Sequence, residues 1–142
     1  MTMGYRYREM VGLAWLVRGL CVDFALSERS CEYDFHGDMT LACMCAVASM
    51  VLRKASGDKF KVLGGTFSIE ENRDPHCWCE YGPWTLDITA SQFGVGIPVL
   101  ILRNENSNKY YRNGVLMNRY KDFNWGHTQN PTPRLTRVIL NG

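Results

Sequence analysis

His76-Cys77-Trp78-Cys79-Glu80-Tyr81-Gly82-Pro83-Trp84-Thr85-Leu86-Asp87-Ile88-Thr89 reads as two strands separated by Gly and Pro. Aromatic, apolar and β-branched residues fill both sides, and Gly and Pro end extended segments. Strand alternation assigns His76, Trp78 and Glu80 to one sheet face and Cys77, Cys79 and Tyr81 to the other. A hairpin with Tyr81-Gly82 at its middle sets Asp87 directly opposite His76. Cross-strand neighbours lie about 4.5 to 5.5 Å apart, a separation at which a carboxylate can hold an imidazole.

Upstream, Cys45-Ala46-Val47-Ala48-Ser49-Met50-Val51-Leu52-Arg53-Lys54 is rich in Ala, Met and Leu, carries its basic residues late and stops at Ser56-Gly57. These are the signals of a helix whose positive end is Cys45. Phe60 to Ile69 and Ile97 to Arg103 have the same strand texture as the opening stretch. From Tyr5 to about Leu26, Arg8, Gly12, Gly19 and Asp23 recur at steps of four and seven, which leaves a wide apolar face with Met10, Leu13, Trp15, Val17 and Leu20. That pattern predicts an amphipathic helix, although each interior glycine costs about 1 kcal/mol relative to Ala. Ser27 to Thr40 reads as a connecting loop, Lys109 to Tyr120 as a further strand or a hairpin around Asn113-Gly114, and Leu135 to Leu140 as a last apolar piece. No repeat and no linker is visible, so residues 1–142 are expected to form a single domain.

Nucleophilic cysteine chemistry needs a thiol of lowered pKa, a His to take its proton and a third group to orient that His. Cys45 sits where unpaired helix N–H groups stabilise a thiolate and the oxyanion of an acyl-transfer intermediate. His76 opens one strand as candidate base, and Asp87 lies in the next as its orienting carboxylate. Trp78 is expected to form an apolar wall of the site, and Glu80 to be a solvated strand residue. Cys77 and Cys79, on the opposite face from His76, are expected to pack as small hydrophobes. Cys43, two residues before Cys45, is the alternative nucleophile. His36 and His127 lie in loops without matching partners.

These residues resemble the transglutaminase-like branch of the papain-like cysteine hydrolase superfamily. Cys45-Ala46-Val47-Ala48-Ser49 followed by Gly64-Gly65-Thr66-Phe67 is similar to its nucleophile helix and succeeding strand. His76-Cys77-Trp78-Cys79-Glu80 with Leu86-Asp87-Ile88-Thr89 resembles its HxWxE and D-x-T strand pair, and Ala90-Ser91-Gln92-Phe93 is like small bacterial and phage members. The resemblance spans residues 43–93. It implies an α+β fold in which N-terminal helices, one of them the nucleophile helix, pack on an antiparallel β-sheet. It also implies a Cys45, His76, Asp87 triad that attacks an amide through a thioester, as protease, protein glutamine deamidase or acyltransferase. No Gln or Asn precedes Asn72, and Ala42, Cys43 and Met44 stand where the family's glycine precedes the nucleophile. The oxyanion hole must then use the Cys45 N–H with another backbone group, or a later side chain such as Gln92.

Composition narrows the class. The chain has 46% hydrophobic and 21% charged residues, enough apolar side chain for a core, which excludes disordered and low-complexity classes. A net charge of +2 without a basic run argues against nucleic-acid binding. No apolar run reaches membrane-span length, and the stretch from Met10 to Val17 is followed by Arg18 without a signal-peptide cleavage site. A cytoplasmic protein with reduced thiols, a protein or peptide substrate and no cofactor is expected. The rival from another class is a zinc-binding structural protein using Cys43-x-Cys45, Cys77-x-Cys79 and His76. Its one-residue spacing is poor, because zinc sites prefer two to four residues between paired cysteines, so no metal is expected. A third reading is a catalytically inactive member of the same fold that serves as a binding module.

Overall fold

The computed structural model describes residues 4–28, 44–93 and 95–118. Helix α1 runs Tyr7–Glu28 and α2 runs Cys45–Ala55, and five strands follow: β1 Lys61–Ile69, β2 Asn72–Tyr81, β3 Trp84–Asp87, β4 Leu100–Arg103 and β5 Tyr111–Met117. The strands form one sheet in the order β4-β3-β2-β1-β5, every neighbouring pair antiparallel. The α+β class with helices and an antiparallel sheet is therefore what the chain adopts. Cys43, His36, His127 and the segment Leu135 to Leu140 lie outside the described residues, as does most of the Ser27 to Thr40 loop.

The helices form a layer on one sheet face. Residues Cys45 to Leu52 of α2 are all buried, because α2 lies between α1 and the sheet. Its end is fixed locally: Arg53 and Lys54 meet Asp58 at 3.5 and 3.2 Å, and the Ser56 hydroxyl donates to Arg53 O at 2.6 Å. Gly57 and Asp58, both at positive φ, then reverse the chain toward β1. The buried stripe of α1 is Met10, Ala14, Val17, Cys21 and Ala25, the i, i+4, i+7 pattern of one helix face. This corrects the expected face, since Trp15 stays 50% exposed. Small residues line the stripe because α1 packs closely on α2, and the larger Trp15 is left outside. Among the described residues, nothing lies within 4 Å of a Cβ at Gly12 or Gly19. The Arg18 guanidinium donates to Ile88 O at 2.6 Å and Pro98 O at 3.0 Å, tying α1 to the chain that follows β3.

Cross-strand partners share a face, so the ladders sort the side chains. Val62, Cys77, Cys79, Leu86 and Met117 turn toward the helices and complete the main core. Leu63, Phe67, Trp78 and Tyr111 turn to the other face, in a second cluster with Ala90. The turn between β2 and β3 is Gly82-Pro83, one residue later than expected, because Tyr81 pairs with Trp84. Gly82 has φ +55°, and proline cannot follow it into positive φ, which leaves the type II′ arrangement that matches strand twist. Asn104, opening a single helical turn α3 (Asn104–Ser107), secures this hairpin through Gly82 O at 2.9 Å and the Thr85 hydroxyl at 2.8 Å. Asn113-Gly114 is an irregularity within β5 and not a hairpin: the register shifts between Gly64 and Thr66, so two residues of β5 oppose Gly65.

Candidate active site

Helix α2 begins at Cys45, the first residue with helical geometry. Its first intrahelical bond runs from Ala48 N to Met44 O at 2.8 Å, so the N–H groups of Cys45, Ala46 and Val47 have no acceptor within the helix. Met44, the residue before, makes no side-chain cap. The positive end of the helix dipole thus falls on the Cys45 thiol.

The ladder between β2 and β3 stops at Cys79 and Leu86, and Asp87 pairs onward only with Leu100 of β4. Among the described residues, the β3 side of β2 has no ladder partner beside His76 and Cys77. Here Cys45 is coupled electrostatically to the Cys77 thiol, the Cys77 N–H and the His76 ring. The expectation that Cys77 stands apart from the site is corrected. Alternation does turn Cys77 away from His76, but α2 lies on the Cys77 face and brings Cys45 to it. Cys77 is fully buried, with its thiol 3.5 Å from Met117 Sδ, and Cys79 donates to Ser49 O at 3.4 Å.

His76 and Asp87 are in contact, with Nε2 to Oδ2 at 2.6 Å. The expected register is off by one pair: continuing the ladder, Asp87 falls opposite Trp78 and is the diagonal neighbour of His76. Because the offset is two residues along β2, the face is unchanged, and the diagonal is within reach of a long ring. Asp87 Oδ2 also accepts the Tyr111 hydroxyl at 2.7 Å, while Oδ1 accepts Thr89 N at 2.9 Å and the Thr89 hydroxyl at 3.4 Å. Four donors occupy the acceptor capacity of one carboxylate.

Charge follows from this network. Burial opposes ionisation of Asp87, but the His76 charge and the hydrogen bonds from His76, Thr89 and Tyr111 outweigh it and hold the carboxyl below its usual range. An ionised carboxylate only accepts, so Nε2 of His76 carries a proton. Burial likewise disfavours the imidazolium, yet Asp87 and the Cys45 thiolate raise His76 to about 10. The neighbouring Cys77 side chain, together with the His76 ring and the Cys77 N–H, outweighs burial at Cys45 and draws its pKa to about 5. Burial keeps Cys77 and Cys79 protonated far above the ordinary thiol range. The ring nitrogen left over, Nδ1, is buried with no hydrogen-bond partner among the described residues and is the atom available to the thiol. Catalytic contacts are often loose until substrate binds.

Phe93 and Phe67 pack edge-on against the imidazole, at 4.9 and 5.6 Å between ring centroids, and fix its plane. Trp78 is 2% exposed and its ring lies across Gly65 and Gly114. Gln92 is turned back on its own 3-10 turn, Ala90–Phe93, and donates to Thr89 O at 3.1 Å. In that position it supports the loop after Asp87, and an oxyanion role would require it to leave this carbonyl. Sequence reading missed Tyr111, Thr89 and Phe93. The D-x-T spacing was a signal for Thr89, since an Asp side chain commonly accepts a backbone N–H two residues on; for Tyr111 the only signal was a tyrosine-rich strand. Among the described residues, no group of three or more His, Cys, Asp and Glu side chains could hold a metal ion, Cys21, Cys45, Cys77 and Cys79 are free thiols, and no helix is long and apolar enough to cross a membrane.

No protein-family model matches this chain, and comparison with curated proteins and with solved structures finds no match.

Proposed function

We propose that the protein is a cysteine-dependent hydrolase or acyltransferase that attacks an amide of a protein or peptide through a thioester on Cys45. The observation that carries this reading is the buried His76–Asp87 pair, Nε2 to Oδ2 at 2.6 Å, with the Cys45 thiol at a helix start and electrostatically coupled to the imidazole. In the reaction the Cys45 thiolate adds to the amide carbonyl, and the Cys45 N–H, which has no acceptor within α2, is a donor for the oxyanion. His76 then gives its Nδ1 proton to the leaving amine or ammonia, so that the C–N bond breaks and a neutral imidazole remains. The imidazole next takes a proton from water, or from an acceptor amine, as that nucleophile adds to the thioester. Collapse of the adduct releases the Cys45 thiolate and restores the imidazolium. Asp87 holds Nε2–H throughout and thereby fixes which nitrogen does the work.

Resemblance to the transglutaminase-like branch rests on the motif residues already quoted, and a reducing compartment such as the cytoplasm suits a site that depends on a free thiol. The test is intact-mass analysis of an unfolded, glutamine-containing protein incubated with wild type or Cys45→Ala, with and without methylamine. A gain of about 1 Da denotes deamidation, about 14 Da with methylamine denotes transfer, and fragments denote proteolysis, all outcomes of one thioester. Each change should vanish in Cys45→Ala and in His76→Ala, because triad members act as a unit. A change that survives Cys45→Ala would overturn the reading in favour of another catalytic site, and no change with wild type would favour a binding role.

A further inference from the structure

We infer that Tyr111 is a positioning residue of this site, carried to the Asp87 carboxylate by a one-residue bulge in β5. The bulge decides which face Tyr111 occupies. Below it, Val62, Leu63 and Gly64 pair with Met117, Leu116 and Val115; above it, Thr66 and Phe67 pair with Arg112 and Tyr111. Had the first register continued, Tyr111 would face Ser68 and turn to the helix side of the sheet. A slip of one residue exchanges faces. With Asn113 at φ +59° inside the bulge, Tyr111 instead faces Phe67, on the side that holds His76 and Trp78. Its ring packs against Trp78 at 4.9 Å and Phe67 at 5.1 Å, and its hydroxyl donates to Asp87 Oδ2 at 2.7 Å.

Gly65 is what admits the bulge. A Cβ there would lie 2.5 Å from Arg112 O and 2.7 Å from the Trp78 ring. One glycine, one bulge and one tyrosine therefore form a single device aimed at the carboxylate.

The consequence concerns the strength of the His76–Asp87 bond. Tyr111 and His76 donate to the same oxygen, so the phenol takes part of the charge that otherwise acts on the imidazolium. Burial and the Asp87 charge hold the Tyr111 hydroxyl protonated well above its ordinary range, and it remains a donor over the whole working interval. With the phenol present, His76 gives up its Nδ1 proton more readily, which is the step that expels the leaving amine. This role rests on the proposed thiol chemistry for its effect on turnover, but not for its effect on the imidazole.

The test reads the imidazole directly. Ring-labelled full-length protein is titrated by NMR, with His76 assigned by its loss in His76→Ala. In Tyr111→Phe, which keeps the ring and removes the hydroxyl, His76 should titrate about half to one pH unit higher than in wild type. Uniform 3-fluorotyrosine makes the phenol a stronger donor without changing the chain and should move His76 downward, so the test stands even if Tyr111→Phe does not fold. A tyrosine that merely packs would lower the melting temperature and leave the titration in place, and that result overturns the inference. A wild-type His76 titrating near its ordinary 6.5 would overturn the thiolate–imidazolium reading itself, which keeps the two failures apart.

Discussion

Asp87 concentrates the demands that the site makes on a single residue. It is 1% exposed, carries its charge beside a fully buried His76, and accepts hydrogen bonds from His76, Thr89 and Tyr111. A buried charge of this kind is tolerated only when paired and hydrogen-bonded. Asp87→Asn removes the charge that raises His76, so the imidazolium loses its support and the Cys45 thiolate loses a partner. Thiolate formation should move from about 5 upward by about two units or more, measured as the midpoint of the alkylation rate against pH, with activity down roughly 10²–10⁴-fold. An unshifted midpoint would show that the helix start and Cys77 alone activate the thiol. The identities of Cys45, His76 and Asp87 were legible in the sequence because each belongs to a short-range pattern: a helix start, strand alternation, a hairpin. Tyr111 was not, since its meeting with Asp87 depends on a strand at the far edge of the sheet and on which face a bulge turns outward.

At the level of elements, the arrangement depends on where ladders stop. The β2 and β3 strands remain paired from Tyr81 to Cys79 and then part, and the first residue of α2 enters beside that parting. The hairpin was readable from Gly82 and Pro83, but its centre was not. Shifting the turn by one residue changes the opposite partner of Asp87 from His76 to Trp78 while preserving the face, and strand alternation reports only the face. Gly65 offers a test of the bulge as an element. Gly65→Ala drives a methyl into the Arg112 carbonyl and the Trp78 ring, neither of which sits at the end of a flexible chain. A loss of roughly 1–3 kcal/mol in urea unfolding is expected, with His76 titrating higher, as in Tyr111→Phe. Gly12→Ala on α1, where nothing lies within 4 Å, should instead add about 0.5–1 kcal/mol. Equal effects of the two substitutions would mean that the bulge holds no tension with Gly65.

Across the whole molecule, the two faces of the sheet divide the labour. The helix layer carries Cys45 in one core cluster with Met44, Val47, Cys77 and Cys79, while the opposite face carries His76, Asp87 and the aromatic rings around the imidazole. Of the three candidate site residues Cys45, His76 and Asp87, Cys45, at 7% exposure, is the least buried. Composition and periodicity were enough to read an α+β chain. They misjudged the face of α1 because close helix packing selected Ala14, Cys21 and Ala25 over the bulkier Trp15, a choice made by the neighbouring helix. Whether Cys45 is an activated thiolate paired with His76 is decided by the pH dependence of iodoacetamide alkylation in the native protein, with each cysteine quantified by peptide mapping. Cys45 should react before Cys21, Cys77 and Cys79, its rate should rise with a midpoint near 5, and it should already be labelled at pH 6. Labelling of Cys45 only with the midpoint of an ordinary thiol near 9.0, or first labelling of another cysteine with Cys45 protected, would contradict an activated thiolate.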